Sequence, residues 1–288
     1  MNQPLPGASL TRTTQRAGRV DLGLRRAPDG RSFIARQHAT YPFHLCRPHH
    51  VGGDPAGMAT LYLQSAAGGV FEHDRLAVDV TVEERAALHL TSQSSTIVHS
   101  MTGGTARLSL SVTAGTDALV EVLPEATILF PGARLETTTR ISADETAIVC
   151  LGEGLIGHDP QGGDAMFERV LSTVIFETRD GRVLVEDRQA IDGTAFRALS
   201  GRQGPRATYG GLYLWAPRSD LDALAARVEQ RIATLQDTYA GVSLLPEACG
   251  LAVRIIAADG LALRAGWIAI WQVLRLGLCG ATPTPRRK

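Results

Sequence analysis

In RLAVDVTVEE, Leu76, Val78, Val80 and Val82 occupy every second position, with Asp79, Thr81 and Glu83 between or after them. Side chains of an extended chain point alternately to opposite faces, so this spacing fits a strand with one buried face and does not fit a helix. The pattern returns in RLSLSV, through Leu108, Leu110 and Val112, and in RVLVEDR, through Val183 and Val185. Glycine pairs punctuate the runs: Gly52 and Gly53, Gly68 and Gly69, Gly103 and Gly104, Gly162 and Gly163, Gly210 and Gly211. Glycine reaches positive φ at little steric cost, so each pair is expected to form a turn between strands. The first two-thirds of the chain therefore reads as short strands in layered sheets.

Near residue 217 the period changes. Leu221, Leu224, Val228, Ile232, Leu235 and Tyr239 recur at steps of three and four, which predicts an amphipathic helix with Ser219 as its N-cap. After the strand-like GLAVRII, a second helix is expected over DGLALRAGWIAIWQVLRLGL, and the tail ATPTPRRK is expected to fray. The predicted fold is mainly β, with stacked sheets and a small C-terminal helical part.

Composition narrows the chemistry. The chain has 288 residues, a formal net charge of zero and 44% hydrophobic residues, which suits a soluble globular protein with a full core. No electrostatic field draws it to phosphate backbones, so nucleic acid is not an expected partner. Near-neutrality favours association with other proteins. Its one lysine is Lys288. A phosphate loop needs a lysine after its glycine-rich turn, and a pyridoxal Schiff base needs a buried lysine amine, so neither can be built. Cys46, Cys150, Cys249 and Cys279 are scattered without a C-x-x-C pair and read as reduced thiols. The N-terminus lacks a signal-peptide pattern, and the apolar stretch AGWIAIWQVL is shorter than the roughly 20 residues of a membrane span. A cytoplasmic location without a membrane anchor is the expectation.

Three constellations suggest chemistry. HLCRPHH brings His44, Cys46, His49 and His50 into seven residues, with imidazole and thiolate groups suited to nickel, copper or zinc, although the spacing matches no standard structural site. His73, Asp74, Ser94, Ser95 and His99 contain the residue types of a hydrolytic triad, but no G-x-S-x-G elbow carries a nucleophile. Glu72, Asp74, Glu125 and Glu153 fall at strand ends or turns, where paired acids could serve a carbohydrate-active hydrolase. An aromatic content of 5% is low for sugar stacking. LTSQSSTIVHS reads as a Ser/Thr-rich strand whose hydroxyls, with Gln93, line a polar surface or cavity.

Taken in order, GRVDLGLRR, YLQSAAGGVFEHDRLAVDVTVEERAALHLTSQSSTIVHSM, LVEVLPEATILFPGARLETTTRISADETAIVCLGEGLIGHDPQGG and FETRDGRVLVEDR resemble the UreD (UreH) family of urease accessory proteins. The chain keeps the Gly68–Gly69 turn with Asp74, the Leu90, Thr91 and Gln93 strand, the Leu123–Pro124–Glu125 turn, and Glu153. It departs with His73 where glycine is usual, with Gly157–His158 in place of Gly-Arg, and with Gly163–Asp164 in place of Gly-Glu. The resemblance implies a single domain over residues 1–288: strand-rich over 15–216, helix-containing over 217–280, with a frayed tail over 281–288. It also implies a non-enzymatic scaffold that binds apo-urease, UreF and the GTPase UreG, and assists GTP-dependent nickel insertion. A polar internal tunnel is associated with the family, and Asp74, Gln93, Glu125 and Glu153 are the candidates to line such a path. No tightly bound cofactor is implied, only transient Ni2+. His44, Cys46, His49 and His50 match no family motif.

Overall fold

The computed structural model describes residues 15–52, 54–203 and 208–283. The chain begins with β1 (Ala17–Arg26), β2 (Ser32–Ala39), β3 (Phe43–Leu45), β4 (Ala59–Ser65), β5 (Arg75–Val82) and β6 (Ala87–Ser92). It continues through β7 (Ile97–Val98), β8 (Ala106–Ala114), β9 (Leu119–Val122), β10 (Thr127–Leu129), β11 (Arg134–Ala143) and β12 (Ile148–Gly157). β13 (Arg169–Thr178), β14 (Val183–Asp192), α1 (Gly193–Gln203), β15 (Thr208–Trp215) and α2 (Leu221–Ile232) follow. β16 (Thr238–Leu244), β17 (Gly250–Ala257) and α3 (Gly260–Cys279) complete the order. The fold is mainly β in layered sheets, as the alternation predicts.

One sheet runs β14-β13-β11-β8-β5-β1-β2, and the other runs β16-β17-β15-β12-β9-β6-β4-β3. Between β4 and β13 the longer strands pass alternately from one sheet to the other, and each pairs in parallel with its predecessor in the same sheet. The chain thus winds as a short solenoid whose coils stack on one another. Parallel register aligns equivalent positions across coils. Leu22, Val80, Val112, Ile141, Phe176 and Val185 form one unbroken buried column in the first sheet. Leu61, Leu90, Val122, Leu151, Tyr213 and Ala252 form its counterpart in the second. The main core lies between them.

The second sheet is covered on its outer face as well. α2 and α3 lay Leu224, Val228, Leu263, Ile270 and Leu274 over Leu212, Leu214, Leu251 and Val253. Burial on both faces erases alternation, which explains why β17 reads as a nearly continuous apolar run. α3 is long and apolar enough to cross a membrane, a length the run AGWIAIWQVL alone does not suggest. Its apolarity has a packing cause, since Leu263, Ile270 and Leu274 are buried against the sheet and Arg275 is buried among charged partners.

The later elements correct three expectations and add a helix within the strand-rich region. α2 stops at Ile232, short of Leu235 and Tyr239, because the chain turns through Asp237 at φ 51° and Tyr239 enters edge strand β16. Its N-cap is Asp220, whose carboxylate accepts from the Ala223 amide at 3.0 Å, while Ser219 donates its own amide to Ala216 O. α1 interrupts a region read as strand-rich; Asp192 Oδ1 accepts from the Ala195 amide at 2.7 Å, and Phe196 packs edge-on against Phe167. Gly210 and Gly211 lie inside β15, where a Cβ at Gly210 would stand 2.7 Å from Leu263 and one at Gly211 2.9 Å from Arg254. Gly68–Gly69, Gly103–Gly104 and Gly162–Gly163 do lie in connections between strands. Gly53 and residues 284–288 of the expected frayed tail fall outside the described residues.

Phe176 is fully buried and stacks on Trp215, so Phe176→Ala is expected to cost about 3–5 kcal/mol, read from the shift of a urea unfolding curve.

Candidate functional site

Stacked register means that one polar residue facing inward continues a column rather than interrupting a surface. In the first sheet, the column Leu76, Leu108, Thr137, Ser172, Gln189 turns from hydrocarbon to polar as it crosses the coils. The adjacent column Val78, Leu110, Thr139, Val174, Asp187 ends in a carboxylate. Across the interior, Glu153 on β12 faces them beside Gly211 and Arg254 on neighbouring strands. Its carboxylate accepts from Ser172 Oγ at 3.2 Å and from Gln189 Nε2 at 3.4 Å. Tyr213 OH lies 3.5 Å from it and donates at 2.7 Å to Asp187, which also pairs with Arg254. Tyr209 OH donates to Gln189 Oε1.

Burial dominates this cluster's electrostatics. It pushes the Glu153 carboxyl above the usual carboxylate range, against the attraction of Arg254 and the hydrogen bonds of Ser172, Gln189 and Tyr213. It pushes the Tyr209 and Tyr213 phenols up as well, and lowers Arg254 despite Glu153. The Arg254 guanidinium lies 4.5 Å over the Tyr213 ring, and its buried Nη1 has no hydrogen-bond partner among the described residues.

Glu125 occupies a different place. The Leu123–Pro124–Glu125 turn leaves β9, held by Thr91 Oγ1 donating to Leu123 O at 2.7 Å and by the Glu125 amide donating to Ser92 Oγ at 2.9 Å. Thr91, Pro124 and Glu125 line a cavity of about 250 Å³ between the sheets, together with Thr127 and Thr137. The same three line a groove of about 210 Å³ beneath α3, with Trp267 and Trp271 on the opposite wall. Gln93 is exposed and accepts from Gln64 Nε2, on the rim of a third cavity of about 360 Å³ bounded by Gly68, Gly69, Ser92 and Pro124. Ser94 and Ser95 line it too, so the Ser/Thr-rich segment does border a cavity, beyond the end of β6 at Ser92.

Asp74 stands apart from these spaces. It is buried, accepts from Arg16 Nε at 3.0 Å and from the Phe71 amide at 2.7 Å, while Arg16 Nη2 donates to Gly69 O at 2.9 Å. Its geometry is that of an anchor for the Gly68–Gly69 turn. Glu72 holds the neighbouring turn by accepting from the Gly103 and Gly104 amides, which bring its carboxyl down to about 2. His73 takes a left-handed conformation at φ 65° with its imidazole over Gly104.

The histidine-rich segment does not gather. His44 is exposed on β3, His49 bridges Thr60 through the backbone, His50 Nδ1 lies 3.0 Å from Met58 O, and Cys46 is half-buried. Among the described residues no three His, Cys, Asp or Glu side chains stand together as a metal-holding group.

The sequence reading missed a charged cluster on the outer face of the second sheet. Glu121 on β9 and His89 on β6 are register partners, with His89 Nδ1 and Glu121 Oε2 2.7 Å apart. From α3, Trp271 Nε1 and Arg275 Nε donate to Glu121 Oε1 at 2.9 and 2.8 Å, and Arg275 also pairs with Asp54. Trp271 stacks on His89, and the Arg275 guanidinium lies 4.7 Å over the Trp271 ring. Burial alone raises the Glu121 carboxyl, but the hydrogen bonds and charges of His89 and Arg275 outweigh it and hold the group down to about 2. The signal was a single charge centred in each apolar run: His89 in ALHLT, Glu121 in LVEVL, Arg275 in VLRLG. Such placement points to a buried partner.

The fold is a two-layered β-solenoid with an internal polar seam. Comparison with known proteins gives its family. The UreD urease accessory protein family matches residues 16–288. A Pseudomonas syringae protein named urease accessory protein UreD 1 is 34% identical over 98% of both chains, and one of the same name from Methylorubrum populi is 33% identical over 99% of this chain and 97% of its own. A Bradyrhizobium protein named urease accessory protein UreD 3 is 33% identical over the full length of both. The chain belongs to the UreD family of urease accessory proteins.

Two outcomes follow from the buried carboxylates. Arg275→Met leaves Glu121 and Asp54 without their shared cation and is expected to cost about 3–5 kcal/mol in chemical denaturation. Glu153, raised when folded, favours the folded state below the ordinary carboxylate value, and that contribution is lost as pH rises through its folded value. Glu153→Gln should therefore flatten the decline of stability above the ordinary carboxylate range, as measured by urea unfolding across pH.

Proposed function

We propose that this chain is a non-enzymatic scaffold in the cytoplasm that assembles with apo-urease, UreF and the GTPase UreG, and assists GTP-dependent delivery of Ni2+ into the urease active site through its polar interior. One observation carries the reading: membership, along residues 16–288, of a family named for service to urease. Several features support it. The chain has no lysine outside Lys288, so nucleotide hydrolysis through a phosphate-loop lysine falls to a partner. The hydroxyls of Thr91, Thr127, Thr137 and Ser172 and the carboxylates of Glu125 and Glu153 are oxygen donors. Oxygen ligands exchange more readily on nickel than a thiolate and imidazole set, which would retain the ion. A conduit has to bind weakly enough to release. Within this reading Glu125 and Glu153 contribute to the path, Gln93 to a neighbouring rim, and Asp74 to the turn that bounds it.

The test is co-expression of a tagged chain with the urease structural and accessory subunits under limiting nickel. The expected result is co-elution of the partners and nickel-filled urease, with nickel content falling when the chain is omitted. Glu125→Gln and Glu153→Gln are each expected to slow loading while leaving co-elution intact. Normal urease nickel content without the chain would end the proposal.

A further inference from the structure

Glu121 and Glu125 lie four residues apart at the end of β9, and α3 meets each with an arginine. Arg264 and Arg275 are eleven residues apart, about three helical turns, and so project from the same side of the helix. The two ends of this double contact differ in kind. Arg275 and Glu121 have side chains 0% and 3% exposed, and Arg275 is further held by Asp54 and the Trp271 ring. Arg264 and Glu125 stand 3.5 Å apart, with side chains 47% and 23% exposed. A pair closed off from water cannot open without stranding a charge, whereas a half-exposed pair exchanges easily with solvent.

The loose pair sits where spaces meet. Glu125 lines the cavity between the sheets, the groove beneath α3, and the adjoining cavity at the N-terminal end of α3. Arg264 lines the latter two but not the inter-sheet cavity. Its guanidinium is therefore on the outer side of the carboxylate that the three spaces share.

We propose that Arg264 and Glu125 form a latch across the outer mouth of the inter-sheet cavity, opened when a divalent cation takes Glu125 and the guanidinium swings into solvent, while Arg275 keeps α3 in place. The latch rests on the cation-delivery reading above. The chemistry is competition between two cations for one carboxylate. Arg264 has a half-exposed stem and water to move into, whereas the divalent ion gains an anionic oxygen next to the threonine hydroxyls of the cavity. The pair also keeps monovalent cations from a bare carboxylate, so the mouth favours the ion with the higher charge.

The experiment follows nickel loading of apo-urease at limiting nickel in the assembled complex. Arg264→Gln removes the competitor and is expected to raise the initial loading rate roughly two- to fivefold, the range over which a half-exposed ion pair can hold a step back. Arg264→Glu should be at least as fast. In a Glu125→Gln background, Arg264→Gln should bring no acceleration, because no pair remains to open. Wild-type rates in both Arg264 variants, acceleration that persists undiminished with Glu125→Gln, or loss of co-elution with Arg264→Gln would each overturn the latch. Omitting the chain separates the two claims: normal loading without it overturns the delivery reading and the latch together, while loading that needs the chain but ignores both Arg264 variants overturns the latch alone.

Discussion

Parallel register is the constraint on which this architecture rests. Because each coil stacks on the last with equivalent positions aligned, the choice of inner face made at Leu76 and Val80 on β5 is inherited by β8, β11 and β13. A one-residue slip would turn every inward side chain of a coil outward. The same inheritance explains how a cavity can exist inside an otherwise apolar sandwich. Hydroxyl and carboxamide groups enter at Thr137, Ser172 and Gln189 within a column that is hydrocarbon elsewhere, and Ser172 and Gln189 find a partner in Glu153 across the gap.

Two carboxylates on neighbouring strands show how placement decides ionisation. Glu121 on β9 faces outward toward α3 and meets an arginine, a histidine and an indole N–H, so it stays ionised although almost no water reaches it. Glu153 on β12 faces inward, where neutral donors and a guanidinium already committed to Asp187 do not offset the loss of water. The first has the partners of a fixed joint. Burial pushes the second toward its neutral form.

Much of the fold was legible because one face of the first sheet meets solvent and leaves a period of two, as in Leu108, Leu110 and Val112. The second sheet was harder to read. Covered on both sides, β15 and β17 lose their alternation, and Gly210–Gly211 looks like a turn until the helix and strand side chains that occupy its space are known. α3 was readable because its apolar face is wide and Asp259 and Gly280 bound it, whereas α2 was overextended because Leu235 and Tyr239 continue its spacing beyond the end of the helix. At the site, Glu125 and Glu153 could be singled out by type and motif. That Asp74 secures a turn depends on Arg16, 58 residues away, and that Glu121 matters depends on Arg275, 154 residues away. Such pairings are set by winding, not by local sequence.

Trp267 of α3 packs against Gly154 and Gly210, which are partners across β12 and β15, and a Cβ at Gly154 would come within 2.6 Å of the indole ring. Helix and sheet are therefore as close here as backbone allows. These positions form a size-exchange set with Leu263: a bulkier residue at 154 requires a smaller one at 267, and a bulkier one at 210 requires a smaller one at 263 as well. Substitution histories among relatives should record those changes as joint events, and chimaeras that graft α3 alone onto a foreign sheet should fail to seat it.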